Sequence, residues 1–379
     1  MANRKDWLKL ARETVLAVEP RDVGDLYTVE WSEAREVLVE SHRDHIAAAR
    51  PGIRRSVRTA SAILYGLASR LSPTRRLVVF VVFLSWLFAL VKLSGDVTTS
   101  DAAGAAVILL ICGGLLLLLL AMELVDKLRF RDELVMAREL QADLVPETLP
   151  DVPGWDMAAF NRVANTVGGD IYEVTPLPDG RVSLLFGDAS GHGMAAGLVM
   201  AVAHTAYRLQ VESDASPDAV TQALNRVLCR TGACRPRGAR SFFAGVTLLL
   251  EPDGSFTACV AGHPPVLKVD RAGTIVAKIG QGSYPLGVKE GQTYSVETGR
   301  LEEGELLLLH SDGLPEARDA EGREYGDARI SRVLSRMAGR PAAQLVDDLQ
   351  LELFAFLGRV PPEDDVSITA VRRVPLPSA

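Results

Sequence analysis

Residues 182–201 read VSLLFGDASGHGMAAGLVMA, and the C-terminal part of the chain is organised around them. Val182, Leu184 and Phe186 sit in a short apolar run that reads as a strand. Residues 187–193, GDASGHG, form a small-residue loop with one carboxylate, Asp188, and one imidazole, His192. Residues 194–209 follow, rich in Ala and free of Pro, and read as a buried helix. A carboxylate at a strand end, then glycines that open a helix, suits an oxyanion or a metal-bound phosphate. Glycine lets backbone approach a ligand, and the free N–H groups of a helix start favour negative charge. The same residues also fit an ordinary strand-to-helix turn with a capping Asp, and this stretch alone leaves both open.

At 379 residues the chain has room for one sizeable domain plus additional segments. A net charge of -7 argues against a nucleic-acid binder, which would normally carry a basic face. The four cysteines include no CxxC; they make neither a disulfide framework nor a zinc pattern, and fit a reducing compartment. Residues 1–30 are charged throughout and lack the apolar core of a secretory signal peptide.

Residues 1–74 are mixed and charged, with helical stretches and no catalytic constellation; they read as a cytoplasmic helical region. Arg54, Arg55, Arg58 and Arg70 fit either solvated helix faces or an anionic membrane surface. Residues 77–91, LVVFVVFLSWLFALV, are apolar without a charge, reaching about 17 residues with Lys92 and Leu93. Residues 102–122 form a second uncharged apolar run, so that 75–123 reads as a two-helix membrane hairpin. Arg70, Arg75 and Arg76 precede the first span and Lys127, Arg129 and Arg131 follow the second, whereas the loop side has Lys92 alone. Cations concentrate on the cytoplasmic side, so both termini and the C-terminal domain are expected in the cytoplasm, beneath the cytoplasmic membrane. Residues 124–146 continue as a helical linker. Apolar residues there recur at three-to-four spacing, which suggests a homodimer over fewer than four heptads. Pro146, Pro150 and Pro153 end the linker and mark the boundary of a domain at 147–379.

Beyond that boundary strand-like runs fall at 155–160, 182–186, 242–250, 256–261, 266–269, 306–310 and 366–371. Helical stretches fall at 216–230, 327–337 and 341–357, besides the one after Gly193. Hairpin signals such as Pro252-Asp253-Gly254 join strands directly, indicating antiparallel sheets covered by helices. Asp170, Asp188, Asp312 and the pair Asp364–Asp365 stand at strand ends, three of these positions beside Gly. Carboxylates brought together at such ends are expensive unless a cation neutralises them. An oxygen-only donor set, without a His or Cys cluster, suits Mg²⁺ or Mn²⁺ rather than zinc. Each Asp singly also reads as a turn residue; four together weaken that reading.

Six segments then occur in the order of one family: GGDIYEV (168–174), GDASGHG (187–193), AGHPP (261–265), PLG (285–287), HSDGLPEA (310–317) and EDDVSIT (363–369). The chain resembles the PPM-type, or type 2C, metal-dependent serine/threonine phosphatases, and more narrowly the SpoIIE-like branch that regulates bacterial sigma factors. The resemblance implies an αββα sandwich with a two-metal centre of Mn²⁺ or Mg²⁺. Asp170, Asp188, Asp312 and Asp364 would supply carboxylates, Asp188 bridging both ions, and Ala189 its backbone carbonyl. A bridging hydroxide would attack a phosphoserine or phosphothreonine on an anti-sigma-factor antagonist. The helices that lead into the domain would act as a switch that completes the metal site. Glu173 stands where the branch usually has Asp. His192 is a candidate general acid or a structural loop residue, and His263 reads as part of a rigid turn. No position matches the phosphate-binding Arg of eukaryotic members. The competing reading is an inactive phosphatase-fold scaffold that binds partner proteins at the membrane.

Overall fold

The computed structural model describes residues 59, 65, 71–93, 99–142, 144–146, 148–164, 167–191, 193–233, 242–280 and 282–376. The helical region expected at 1–74 therefore lies almost wholly outside the described residues. The chain divides into two compact units, Met1–Lys127 and Leu128–Ala379.

In the first unit, α1 (Pro73–Leu93) and the larger part of α2 (Thr99–Ala142) are each long and apolar enough to cross a membrane. Arg75 bonds Glu123 and Asp126 at 2.6 Å each, and Lys92 meets Asp101 at 3.3 Å, so the helices run antiparallel. Phe80, Phe88, Leu110 and Leu117 are exposed. Apolar faces of this extent are unfavourable in water and suited to lipid. The apolar run from Ala102 continues into the charged linker as one helix with no break, ending at Ala142.

The second unit holds two five-stranded antiparallel sheets. One contains β1 (Trp155–Arg162), β10 (Val366–Arg373), β9 (Leu306–His310), β6 (Val266–Val269) and β7 (Ile275–Ile279), in that spatial order. The other contains β2 (Ile171–Pro176), β3 (Val182–Ala189), β4 (Phe243–Leu250), β5 (Ser255–Ala261) and β8 (Val296–Arg300). Helices α3 (Met194–Ser213) and α4 (Pro217–Leu228) pack on the second sheet; α5 (Asp327–Arg336) and α6 (Ala342–Leu357) pack on the first. This is the expected αββα sandwich.

Strand periodicity explains the layering. On β3, Leu184 and Phe186 face the other sheet and meet Leu307, Leu309 and Val371, whereas Leu185 faces Met200, Ala203 and Tyr207 of α3. Both faces are covered, which is why this strand reads as continuously apolar. Strands β2, β7 and β8 were absent from the sequence expectation. Strand β8 reads VETGR and is mostly exposed, so it lacks the apolar alternation that marks a strand. Cys112 and Cys259 are free and buried, whereas Cys229 is disulfide-bonded, a bond not expected from the sequence.

Candidate active site

The acidic residues singled out above come from four separate places, and their charges act on one another at one end of the sandwich. Asp188 is the penultimate residue of β3 and pairs in register with Ala244. The Asp170 loop lies directly against it, with Ala189 N donating to Gly169 O at 3.1 Å. A Cβ on Gly169 would stand 2.5 Å from Ala189 O and 2.7 Å from Asp188 Oδ1, so only glycine permits this approach. Asp312 follows β9 in a turn closed by Glu316 N donating to Asp312 O at 3.0 Å. The next residue, Gly313, packs onto the Asp365 backbone too closely for any side chain. The turn after β9 is thereby held against the start of β10.

The two acids before β10 divide their work. Asp365 is buried and accepts from Ala164 N at 2.8 Å and Gly169 N at 2.7 Å, one bond to each carboxylate oxygen. It fixes the loop that carries Asp170. Asp364 instead lines a cleft of 360 Å³ with Asp312, Gly313, Glu316, Ala317, Arg318 and Glu363. The sequence pointed to both acids; the structural part played by Asp365 needed the fold.

Electrostatics show that these groups feel one another. Burial, then the charges of Asp170, Asp312, Asp364 and Asp365, push the Asp188 carboxyl up to about 9. Burial pushes Asp170 up to about 7, with Asp365 and Asp312 adding to it and the hydroxyls of Ser367 and Ser311 pulling the other way. Asp170 Oδ2 is buried without a hydrogen-bond partner. A buried acceptor left unsatisfied is costly, and a cation is one partner that relieves it. The donors are all oxygen, which fits Mg²⁺ or Mn²⁺. Among the described residues, no three His, Cys, Asp or Glu side chains converge closely enough to hold an ion as they stand.

Neighbouring groups are structural. Glu173 is buried on β2 and accepts from His204 Nε2 at 3.0 Å and Arg208 at 2.7 Å, tying α3 to the sheet. Burial pushes its carboxyl up, but the bonds from His204 and Arg208 outweigh this and hold it below its usual range. The longer arm at this position therefore serves helix docking. His263 bonds its own turn through Nδ1 and Pro264 O at 2.9 Å, and stacks edge-on to Phe186. Its burial lowers it to about 4, so it is neutral and rigid. His192 lies outside the described residues. Arg318 went unnoticed in the sequence, and Gln141 stood out only as part of the lead-in helix, with no role of its own. Arg318 was signalled only by its position immediately after HSDGLPEA.

Known proteins resemble this chain in sequence and fold. Protein IcfG of Synechocystis sp. is 23% identical over 277 residues, covering 67% of this chain and 43% of that protein. Phosphoserine phosphatase RsbP of Bacillus subtilis is 25% identical over 189 residues, covering 50% of this chain and 46% of that protein. The chain thus spans about half or less of the length of these relatives. The SiaA-PP2C domain of Pseudomonas aeruginosa superposes with a TM-score of 0.57 at 18% identity, covering 65% of this chain and 98% of that one. The family model for stage II sporulation protein E matches residues 178–374, from the hairpin before β3 through the last strand. The sheets, the acidic strand ends and that match coincide, and the chain belongs to the SpoIIE family of PP2C-type phosphatase domains.

Proposed function

We propose that this chain is a membrane-anchored, metal-dependent phosphoserine or phosphothreonine protein phosphatase in bacterial signalling. Its substrate class would be a phosphorylated anti-sigma-factor antagonist, in keeping with the name of RsbP as a phosphoserine phosphatase. The carrying observation is the field at Asp188, where Asp170, Asp312, Asp364 and Asp365 all act on one half-buried carboxyl. Asp170, Asp188, Asp312 and Asp364 would hold Mn²⁺ or Mg²⁺, with the carbonyl of Ala189 as a fifth donor. Bound there, the ions would activate a water molecule and neutralise the charge of the phosphoryl oxygens.

The chain's own residues set up that chemistry. Asp365 holds the Asp170 loop, and Gly169 lets it press against Asp188. The cleft of 360 Å³ beside Asp312 and Asp364 has room for a phosphorylated side chain. The helices α1 and α2 would anchor the unit at the cytoplasmic face.

An inactive scaffold is the competing reading, and the retention of Asp170, Asp188, Asp312 and Asp364 argues against it. Incubating the full-length protein in detergent with phosphoserine, phosphothreonine and phosphotyrosine peptides, with Mn²⁺, Mg²⁺ or EDTA, separates the two. The enzyme releases phosphate from the first two peptides only when a divalent ion is present. A scaffold releases none under any condition.

A further inference from the structure

The cleft beside Asp312 and Asp364 is lined by four acids, and Arg318 is the one cation among its seven described lining residues. A phosphate group carries up to two negative charges and would meet Asp312, Glu316, Glu363 and Asp364 there. Metal ions at the carboxylates offset part of that repulsion; the rim facing Glu316 and Glu363 needs its own counter-charge.

Arg318 is well placed to supply it. It begins the arm of a hairpin in which Arg318 and Glu324 face each other across an antiparallel bridge. Tyr325 N donates to Ala317 O at 2.8 Å, and Asp319 N to Arg323 O at 3.1 Å. The Asp319 carboxylate caps the turn by accepting from Glu321 N and Arg323 N. Ala317 and Tyr325 are buried against the helices of the first sheet, so the backbone of Arg318 is fixed. Its side chain is not locked in the same way. The guanidinium bonds Glu324 Oε1 at 2.8 Å, with the two side chains 51% and 54% exposed. Ion pairs this exposed contribute little, so exchanging Glu324 for another anion costs little. The bond and charge of Glu324, with Glu363 and Glu316 beyond it, raise the pKa of Arg318 further. A guanidinium also presents parallel N–H donors that match phosphate oxygens, which an ammonium does not.

We propose that Arg318 binds the phosphoryl group of the substrate, leaving Glu324 for the phosphate as the cleft fills. This rests on the phosphatase reading for its substrate, but the binding it describes is separable from turnover. It assigns a role to a residue on the hairpin that follows HSDGLPEA, where no metal ligand is expected.

The test uses the full-length protein in detergent with Mn²⁺, para-nitrophenyl phosphate as substrate and inorganic phosphate as ligand. Arg318→Gln should raise KM and weaken inorganic phosphate binding about tenfold, with kcat changed much less, since one charge-assisted contact is lost. Arg318→Lys should recover part of the loss. Glu324→Gln breaks the same ion pair yet keeps the cation, so it should leave KM unchanged or lower it. If Glu324→Gln raises KM as much as Arg318→Gln does, the pair only stiffens the hairpin and the proposal is wrong. Equal phosphate binding by wild type and Arg318→Gln would also overturn it. A wild type that hydrolyses nothing, yet binds phosphate through Arg318, would contradict the phosphatase reading and leave Arg318 supported.

Discussion

The side-chain amide of Gln141 bonds both ends of one residue, Gly168. Its Nε2 donates to Gly168 O at 2.7 Å, and Gly168 N donates to its Oε1 at 2.9 Å. Gln141 is the penultimate residue of α2, and Gly168 stands two residues before Asp170. A little further on, Tyr172 Oη donates to Pro146 O at 3.0 Å. The end of the lead-in helix is therefore fastened to the loop that carries a candidate ligand.

Gln141→Ala removes both bonds and leaves a buried N–H and C=O without partners. It should lower stability by roughly 1–3 kcal/mol and raise the Mn²⁺ concentration needed for half-maximal activity. Gln141→Glu should be as damaging, because it turns a donor facing Gly168 O into an acceptor. A Mn²⁺ titration of the full-length variants checks this. Unchanged metal dependence in both would reduce α2 to a tether and remove the switch implied by the family resemblance.

The arrangement of cations around the two apolar helices predicts topology. Reporter fusions at Gly95 and at the C-terminus should report opposite sides of the membrane, with the C-terminus cytoplasmic. Reporters on the same side would contradict the hairpin.

Clustered carboxylates predict how the metal-free protein responds to pH. Asp188 and Asp170 are raised to about 9 and about 7 in the folded chain, so the native state holds protons that the unfolded state has already lost. Stability from these groups is fully present below the ordinary carboxylate range and is lost as pH rises through their folded values. In EDTA, the unfolding midpoint should fall between about pH 5 and about pH 8, and Asp188→Asn should flatten that fall. Mn²⁺ should restore the midpoint most at the upper end of the range. A midpoint that rises with pH in EDTA would show that these acids do not repel one another.

Much of this was legible because its signals are local. The run at β3 and the glycines around Asp188 and Asp312 follow from backbone demands that any reader of the sequence meets. Asp312 and Asp364 were marked by apolar strands beside them. What stayed hidden depends on residues far apart in the chain. Asp365 looks like a second ligand until its bonds to Ala164 N and Gly169 N, about two hundred positions away, are seen. Glu173 reads only as a longer acid where Asp is usual until His204 and Arg208 are seen to claim it. Strand β8, with Glu297 and Arg300 exposed at the edge of its sheet, is held by pairing with β5 rather than by its own apolar pattern.

In the proposed function, Asp188 would be a carboxylate ligand shared by the metal ions of the phosphatase centre. The direct measurement is phosphate release from a phosphoserine peptide by full-length wild type and Asp188→Asn, at saturating Mn²⁺. The substitution keeps size and removes one charge, so the fold should persist with an unfolding midpoint in EDTA at or above that of wild type. Turnover should fall at least about a hundredfold, because the ions proposed to activate the water would lose a carboxylate ligand. Turnover by Asp188→Asn close to that of wild type would contradict the account.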